Sequence, residues 1–163
     1  MEIKEGIGHV RVEYPIGTVF EPFHCRVDSL DLCRFAEAIG GPHPRYRSDP
    51  AASDDGGSGN GPAAPVPPTY PFALEMKAGP GQARLCRLLG LDPLRTLHVR
   101  QSFEWHGEMR AGDDLTGKTS VVSSVDKGRL RSVTLETEWS SVRAGLLLVS
   151  RTTLAERRDE GNG

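Results

Sequence analysis

Pro67-Pro68-Thr69-Tyr70-Pro71-Phe72-Ala73-Leu74-Glu75-Met76 is the stretch around which the rest of the chain arranges itself. Proline fixes φ and has no N–H, so Pro71 suits the first turn of a helix, where the N–H lacks an intrahelical partner in any case. Thr69 then falls near the N-cap, and Phe72, Leu74 and Met76 begin an apolar element. The amides that open a helix are unpaired and carry partial positive charge, so they suit a carbonyl oxygen or an anion. Two readings stay open for these residues alone. One is a helix at the centre of the fold with a ligand read at its start; the other is an ordinary buried helix with a proline-stiffened approach.

Composition narrows the function classes. The 163 residues fit one domain, spanning 1–163, with enough length to bury a sizeable core. A net charge of −2 with scattered basic residues leaves no electrostatic footprint for nucleic acid. The start, Met1-Glu2-Ile3-Lys4-Glu5, has neither a basic n-region nor an apolar h-region. No apolar run approaches the roughly 20 residues that cross a bilayer, so a cytoplasmic protein with no membrane partner is expected. Cys25, Cys33 and Cys86 are odd in number and lack metal or redox spacing, which reads as reduced, semi-buried thiols. No P-loop, dinucleotide fingerprint, zinc spacing or Ser-His-Asp order is present. Neither a metal nor a cofactor is expected.

Upstream of the decisive stretch, residues 17–27 mix aromatic, β-branched and polar side chains and read as a strand interrupted by Pro22. Asp28-Ser29 makes an N-cap, Asp31 sits in the first turn, and Leu32, Phe35, Ala36 and Ile39 recur at helical spacing until Gly40-Gly41. Pro42-His43-Pro44-Arg45-Tyr46 begins a rigid turn. Residues 50–66 hold almost no large side chains and cannot bury enough surface to offset their ordering entropy. They are expected to be a flexible loop, disordered or a flap over the site.

Downstream, Gly79-Pro80-Gly81 breaks the chain and 82–89 form a short amphipathic helix. The remainder reads as an antiparallel meander of strands at 97–106, 115–126, 130–142 and 146–155, with hairpins at Lys127-Gly128 and Ala144-Gly145 and a frayed tail at 157–163. In the first of these, Leu97, Val99, Gln101, Phe103 and Trp105 alternate against polar partners. Strands of ten residues span about 33 Å, enough to curl round a helix of two or three turns. The result is an α+β fold: a single hot-dog domain, with a five- or six-stranded antiparallel sheet wrapped around a central helix. One such unit leaves a long strand edge open, so a second hot-dog unit is expected as partner, in a homodimer or a heterodimer.

Three sets of residues in this order carry a resemblance. They are 35–46 (FAEAIGGPHPRY), 67–72 (PPTYPF), and 101–106 (QSFEWH) with Ala111-Gly112-Asp113. Together they resemble the MaoC-type dehydratase N-terminal domain, a group that includes FAS1-like dehydratase domains and the substrate-binding subunits of (3R)-hydroxyacyl-ACP dehydratases. The resemblance covers roughly residues 15–157. Catalytic members carry Gly-Asp-x-Asn-Pro-x-His, in which the Asp and His form the acid/base pair. Here Gly40 and Pro44 match, Gly41 stands where the Asp should be, His43 where the Asn should be, and Tyr46 where the His should be. Glycine has no titrating group, and a tyrosine with pKa about 10 needs a large shift to serve near neutral pH.

The resemblance therefore implies a pocket-forming component of an (R)-specific 3-hydroxyacyl-thioester dehydratase or enoyl-thioester hydratase. Its substrate would be an acyl-CoA or acyl-ACP, with the acid/base pair on a partner polypeptide. The implied substrate-binding residues are Pro42, His43 and Tyr46 in the turn, and Thr69, Tyr70 and Phe72 at the helix start, where the backbone amides would hold a thioester carbonyl. His106 and Asp113 read as structural, with His106 bonding the neighbouring Gly-Asp turn. Two other classes stay open: a non-catalytic acyl-binding or scaffolding protein, and a self-sufficient dehydratase or thioesterase with unfamiliar catalytic residues.

Overall fold

The computed structural model describes residues 15–40, 46 and 63–158. The chain runs β1 (Phe23–Arg26), α1 (Ser29–Ala38), α2 (Tyr70–Ala78), α3 (Gly81–Leu88), β2 (Thr96–Trp105), β3 (Asp114–Lys127), β4 (Leu130–Ser141) and β5 (Gly145–Arg157). These strands make one five-stranded sheet of order β1-β3-β4-β5-β2, antiparallel throughout. α1 is capped as its sequence requires: the Asp28 carboxylate accepts the Asp31 N–H at 2.8 Å, and Leu32 and Ala36 face the core. The decisive stretch is a helix, α2, with a proline in its first turn and a buried face of Tyr70, Pro71, Leu74 and Glu75.

Five expectations need correction. The strand placed at 17–27 is only β1 plus one bridge from Val19 to Ser120, because Pro22 has no N–H to give a ladder. Residues 17–20 still lie against β3, with the Gly17 and Phe20 amides on the Val121 and Thr119 carbonyls. The strands from 97 onward are not a simple meander either. β2 pairs with β5, on the far side of the sheet from β3, and β1 takes the place beside β3. The link at 106–113 is accordingly a crossing and not a hairpin.

The loop expected at 50–66 ends early. Ala64 and Val66 are buried, Val66 N–H donates to Met109 O at 3.0 Å, and Ala111 N–H donates to Ala64 O at 2.9 Å. Residues 50–62 lie outside those described. The tail expected to fray from 157 is paired at its start: the Arg157 and Arg158 amides donate to the Arg95 and Arg129 carbonyls, and the Arg158 guanidinium meets Asp126.

The alternation of β2 is also broken. A bulge between His98 and Arg100 shifts the register by one, so His98, Gln101, Phe103 and Trp105 stand opposite Leu154, Thr152, Ser150 and Leu148 of β5. Leu97 and Val99 are left 70% and 54% exposed on the open side of the sheet.

Two apolar clusters fill the space between helices and sheet. One joins Leu32, Tyr70, Leu74, Met109, Trp139 and Leu148 under α1 and α2. The other joins Leu85, Cys86, Leu89, Val121, Leu135 and Leu154 under α3. Small polar side chains cross the sheet between them: Thr119 and Thr137 share a hydrogen bond of 2.9 Å, and Thr152 donates to Gln101 Oε1 at 2.7 Å. The three cysteines are free thiols, Cys86 buried and the others half-buried. No helix among the described residues is long and apolar enough to cross a membrane.

Candidate functional site

The approach to α2 is a tight turn. Tyr70 N–H donates to Pro67 O at 3.0 Å and Phe72 N–H donates to Thr69 O at 3.2 Å, while Pro71 has no N–H. Thr69 occupies the N-cap without a side-chain cap bond, and it is exposed. Its own amide has no partner among the described residues. The amides expected at Thr69 and Tyr70 thus narrow to one. The Tyr70 amide is engaged, and its ring is buried edge-on against Phe35 at 5.2 Å. Burial first, then Asp31 and Asp28, push the Tyr70 phenol up to about 12, so it stays neutral at ordinary pH. Phe72 stacks on His98 at 4.9 Å, and the His98 Nε2 lies 2.9 Å from Arg100 O.

A cavity of about 240 Å³ opens beside this turn. Pro65, Val66 and Pro68, ahead of α2, line it together with Trp105, Gly107 and Met109, from the end of β2 and the crossing after it. Tyr46 and Glu108 complete the lining. Tyr46 and the residue before Thr69 therefore share one cavity, whereas the side chain of Tyr70 is in the core and Phe72 is not among the lining residues. Gly41, Pro42 and His43 lie outside the described residues.

Charge gathers at one side of the cavity and is neutralised there. Glu108 Oε2 accepts from Arg110 Nη2 at 2.7 Å. Asp113 accepts the Arg110 N–H at 2.9 Å and both Nε and Nη2 of Arg143 at 3.1 Å. His106 does not bond this turn: its amide donates to Leu147 O, and its ring lies 3.5 Å from Glu104. Among the described lining residues the titratable side chains are Tyr46 and Glu108, and no Asp/His pair is present. No group of acidic, His or Cys side chains among the described residues is placed to hold a metal ion.

Sequence reasoning missed Trp105, Glu108 and Met109 as lining residues, although Trp105 lay in a quoted motif. It also missed Glu75, whose signal was a lone carboxylate in the apolar run Phe72-Ala73-Leu74-Glu75-Met76. Glu75 is 8% exposed. Its Oε1 accepts from Trp139 Nε1 of β4 at 3.2 Å and from Ser150 Oγ of β5. Burial pushes the Glu75 carboxyl up, and these two hydrogen bonds only partly offset the shift.

A helix packed on a long antiparallel sheet, with a cavity where the helix begins, is the arrangement of a hot-dog domain. The chain belongs to the family described as FAS1-like, dehydratase domain region, whose model matches residues 15–151. A UPF0336 protein of Thermobifida fusca (strain YX) is 33% identical over 149 residues, covering 91% of this chain and 95% of the relative. Among solved structures, the C-terminally truncated HadBC (3R-hydroxyacyl-ACP dehydratase) complex from Mycobacterium tuberculosis aligns with TM-score 0.66 and 23% identity, over 85% of this chain and 94% of that one. The R-hydratase PhaJ1 from Pseudomonas aeruginosa aligns with TM-score 0.61 and 15% identity, over 90% and 84%. At these identities the two solved structures speak to the fold.

Proposed function

We propose that the protein is the pocket-forming component of an (R)-specific 3-hydroxyacyl-thioester dehydratase or enoyl-thioester hydratase, acting on an acyl-CoA or acyl-ACP. The observation that carries this reading is the cavity itself. It is mostly apolar, it touches Tyr46 and Pro68, and the Thr69 amide, without a partner among the described residues, lies one residue beyond. Dehydration removes a proton next to the thioester carbonyl and expels the 3-hydroxyl as water. Charge builds on the carbonyl oxygen, and a fixed amide donor there lowers the barrier. The proton steps need a base and an acid titrating near working pH. Glu108 is held by Arg110 and no Asp/His pair lines the cavity among the described residues, so on this reading the pair is carried by a second polypeptide.

The place for that partner is the β2 edge. The opposite edge is the short strand β1, four residues long, whereas β2 is ten residues long, pairs among the described residues with β5, and exposes Leu97, Val99 and Trp105. A second hot-dog subunit joining there extends the sheet and buries these side chains. The presence of Glu108 in the lining favours one alternative, a self-sufficient enzyme with that carboxylate as base. Hydration of crotonyl-CoA separates the two. On the proposed reading the purified chain binds the thioester but turns it over only with a partner carrying the Asp/His pair. Turnover by the lone chain that Glu108→Gln abolishes would establish the alternative instead.

A further inference from the structure

We infer that Glu75 is a positioning residue, fixing the rotation and depth of α2 against the sheet and thereby the place of the Thr69 amide, one residue beyond Pro68 of the cavity lining. The inference rests on the proposed reading only for its consequence in binding; the geometry stands without it.

α2 is nine residues long and has no side-chain cap. Apart from Glu75, the buried face of the helix is held by Tyr70, Pro71 and Leu74. Apolar contact is non-directional and tolerates a slide or a small turn of the helix. Hydrogen bonds do not, because they weaken steeply with angle. The one carboxylate oxygen of Glu75 is gripped from two neighbouring strands, by the Trp139 indole of β4 and the Ser150 hydroxyl of β5. Trp139 is itself fully buried and held edge-on by Phe23 of β1 at 5.2 Å. Both donors therefore sit on the rigid centre of the sheet. Glu75 lies six residues beyond Thr69, about 9 Å along a stiff helix, so a turn at one position is passed to the other.

The grip is also uncompensated by charge. On the surrounding elements, Lys77 of α2 points to Asp31 of α1, His24 of β1 meets Thr116 of β3, and Arg151 of β5 meets Glu104 and Glu136. Arg84 and Arg87 of α3 are exposed, and the thiols of Cys25 and Cys86 are both pushed up by burial. A carboxyl buried with no cation costs stability that a leucine in its place would not. What the carboxyl adds over leucine is direction.

Three variants test this: Glu75→Gln, which keeps an oxygen acceptor without charge, Glu75→Leu, which removes both bonds, and Ser150→Ala, which removes one donor. The backbone amide resonance of Thr69 and the affinity for crotonyl-CoA are read for each. Expected are a Thr69 resonance unmoved by Glu75→Gln and displaced by Glu75→Leu, with affinity weakened about tenfold in the second. Ser150→Ala is expected to give a smaller displacement in the same direction, and it carries the test if the leucine variant does not fold. A Thr69 resonance indifferent to Glu75→Leu or, failing that variant, to Ser150→Ala overturns the inference. So does equal displacement by the glutamine and leucine variants. If the wild type binds no thioester while the resonance still moves as expected, the positioning role holds and the reading of the cavity fails.

Discussion

Gly117 shows how closely single residues are set around the central helix. A Cβ there would lie 2.4 Å from the Phe23 ring, which packs edge-on against Trp139. Gly117→Ala is expected to lower stability by about 1–3 kcal/mol, because the ring can move only by disturbing Trp139; urea denaturation of the two proteins measures it. Glu75 sets a pH dependence whose sign follows from its raised pKa. The folded state holds the proton more tightly than the unfolded state, so the contribution is fully present below the unfolded carboxylate pKa. It declines as pH rises from that value through the folded one. Thermal unfolding across this range is expected to show a falling branch that Glu75→Gln lacks. In a complex with its partner, Tyr46→Phe is expected to keep substantial turnover; a collapse of turnover with binding intact would make the hydroxyl chemical. At this scale the sequence was partly legible. Proline spacing and the motif pointed to Thr69 and Tyr46 as candidates, but nothing in the chain announces that the Tyr70 amide folds back onto Pro67. The inward turn of Glu75 was legible only as an anomaly, since a charge in an apolar run does not say where its donors are.

The elements were easier to read than their neighbours. Caps, glycine stops and alternation placed α1, α2, α3 and the long strands within a residue or two, because these signals are local. Strand order is not local. β2 lies beside β5 and β1 beside β3, and no pattern within 97–106 carries that information. The bulge after His98 was hidden for a related reason: it is a property of the pairing with β5, and it turned Leu97 and Val99 outward against a clean alternation. That exposure has a measurable consequence. Leu97→Asp together with Val99→Lys is expected to leave the lone chain as stable as before, within about 0.5 kcal/mol each. The same pair is expected to abolish co-elution with a hot-dog partner in size-exclusion chromatography. Within α1, Leu32 has no exposure at all, and Leu32→Ala is expected to cost about 2–5 kcal/mol by chemical denaturation.

For the whole molecule, the hot-dog class was legible because one helix followed by four long strands has few ways to bury both. The sequence could not show that residues 64–66 bridge to 109–111 and join the core, since small side chains carry little periodic signal. The two margins of the sheet are unlike. At one, β1 offers an incoming strand only four residues, behind a lead-in broken at Pro22; at the other, β2 offers ten in a row. Strand addition is therefore expected to be lopsided, with pairing through β2 outcompeting growth from β1 and so restraining polymerisation.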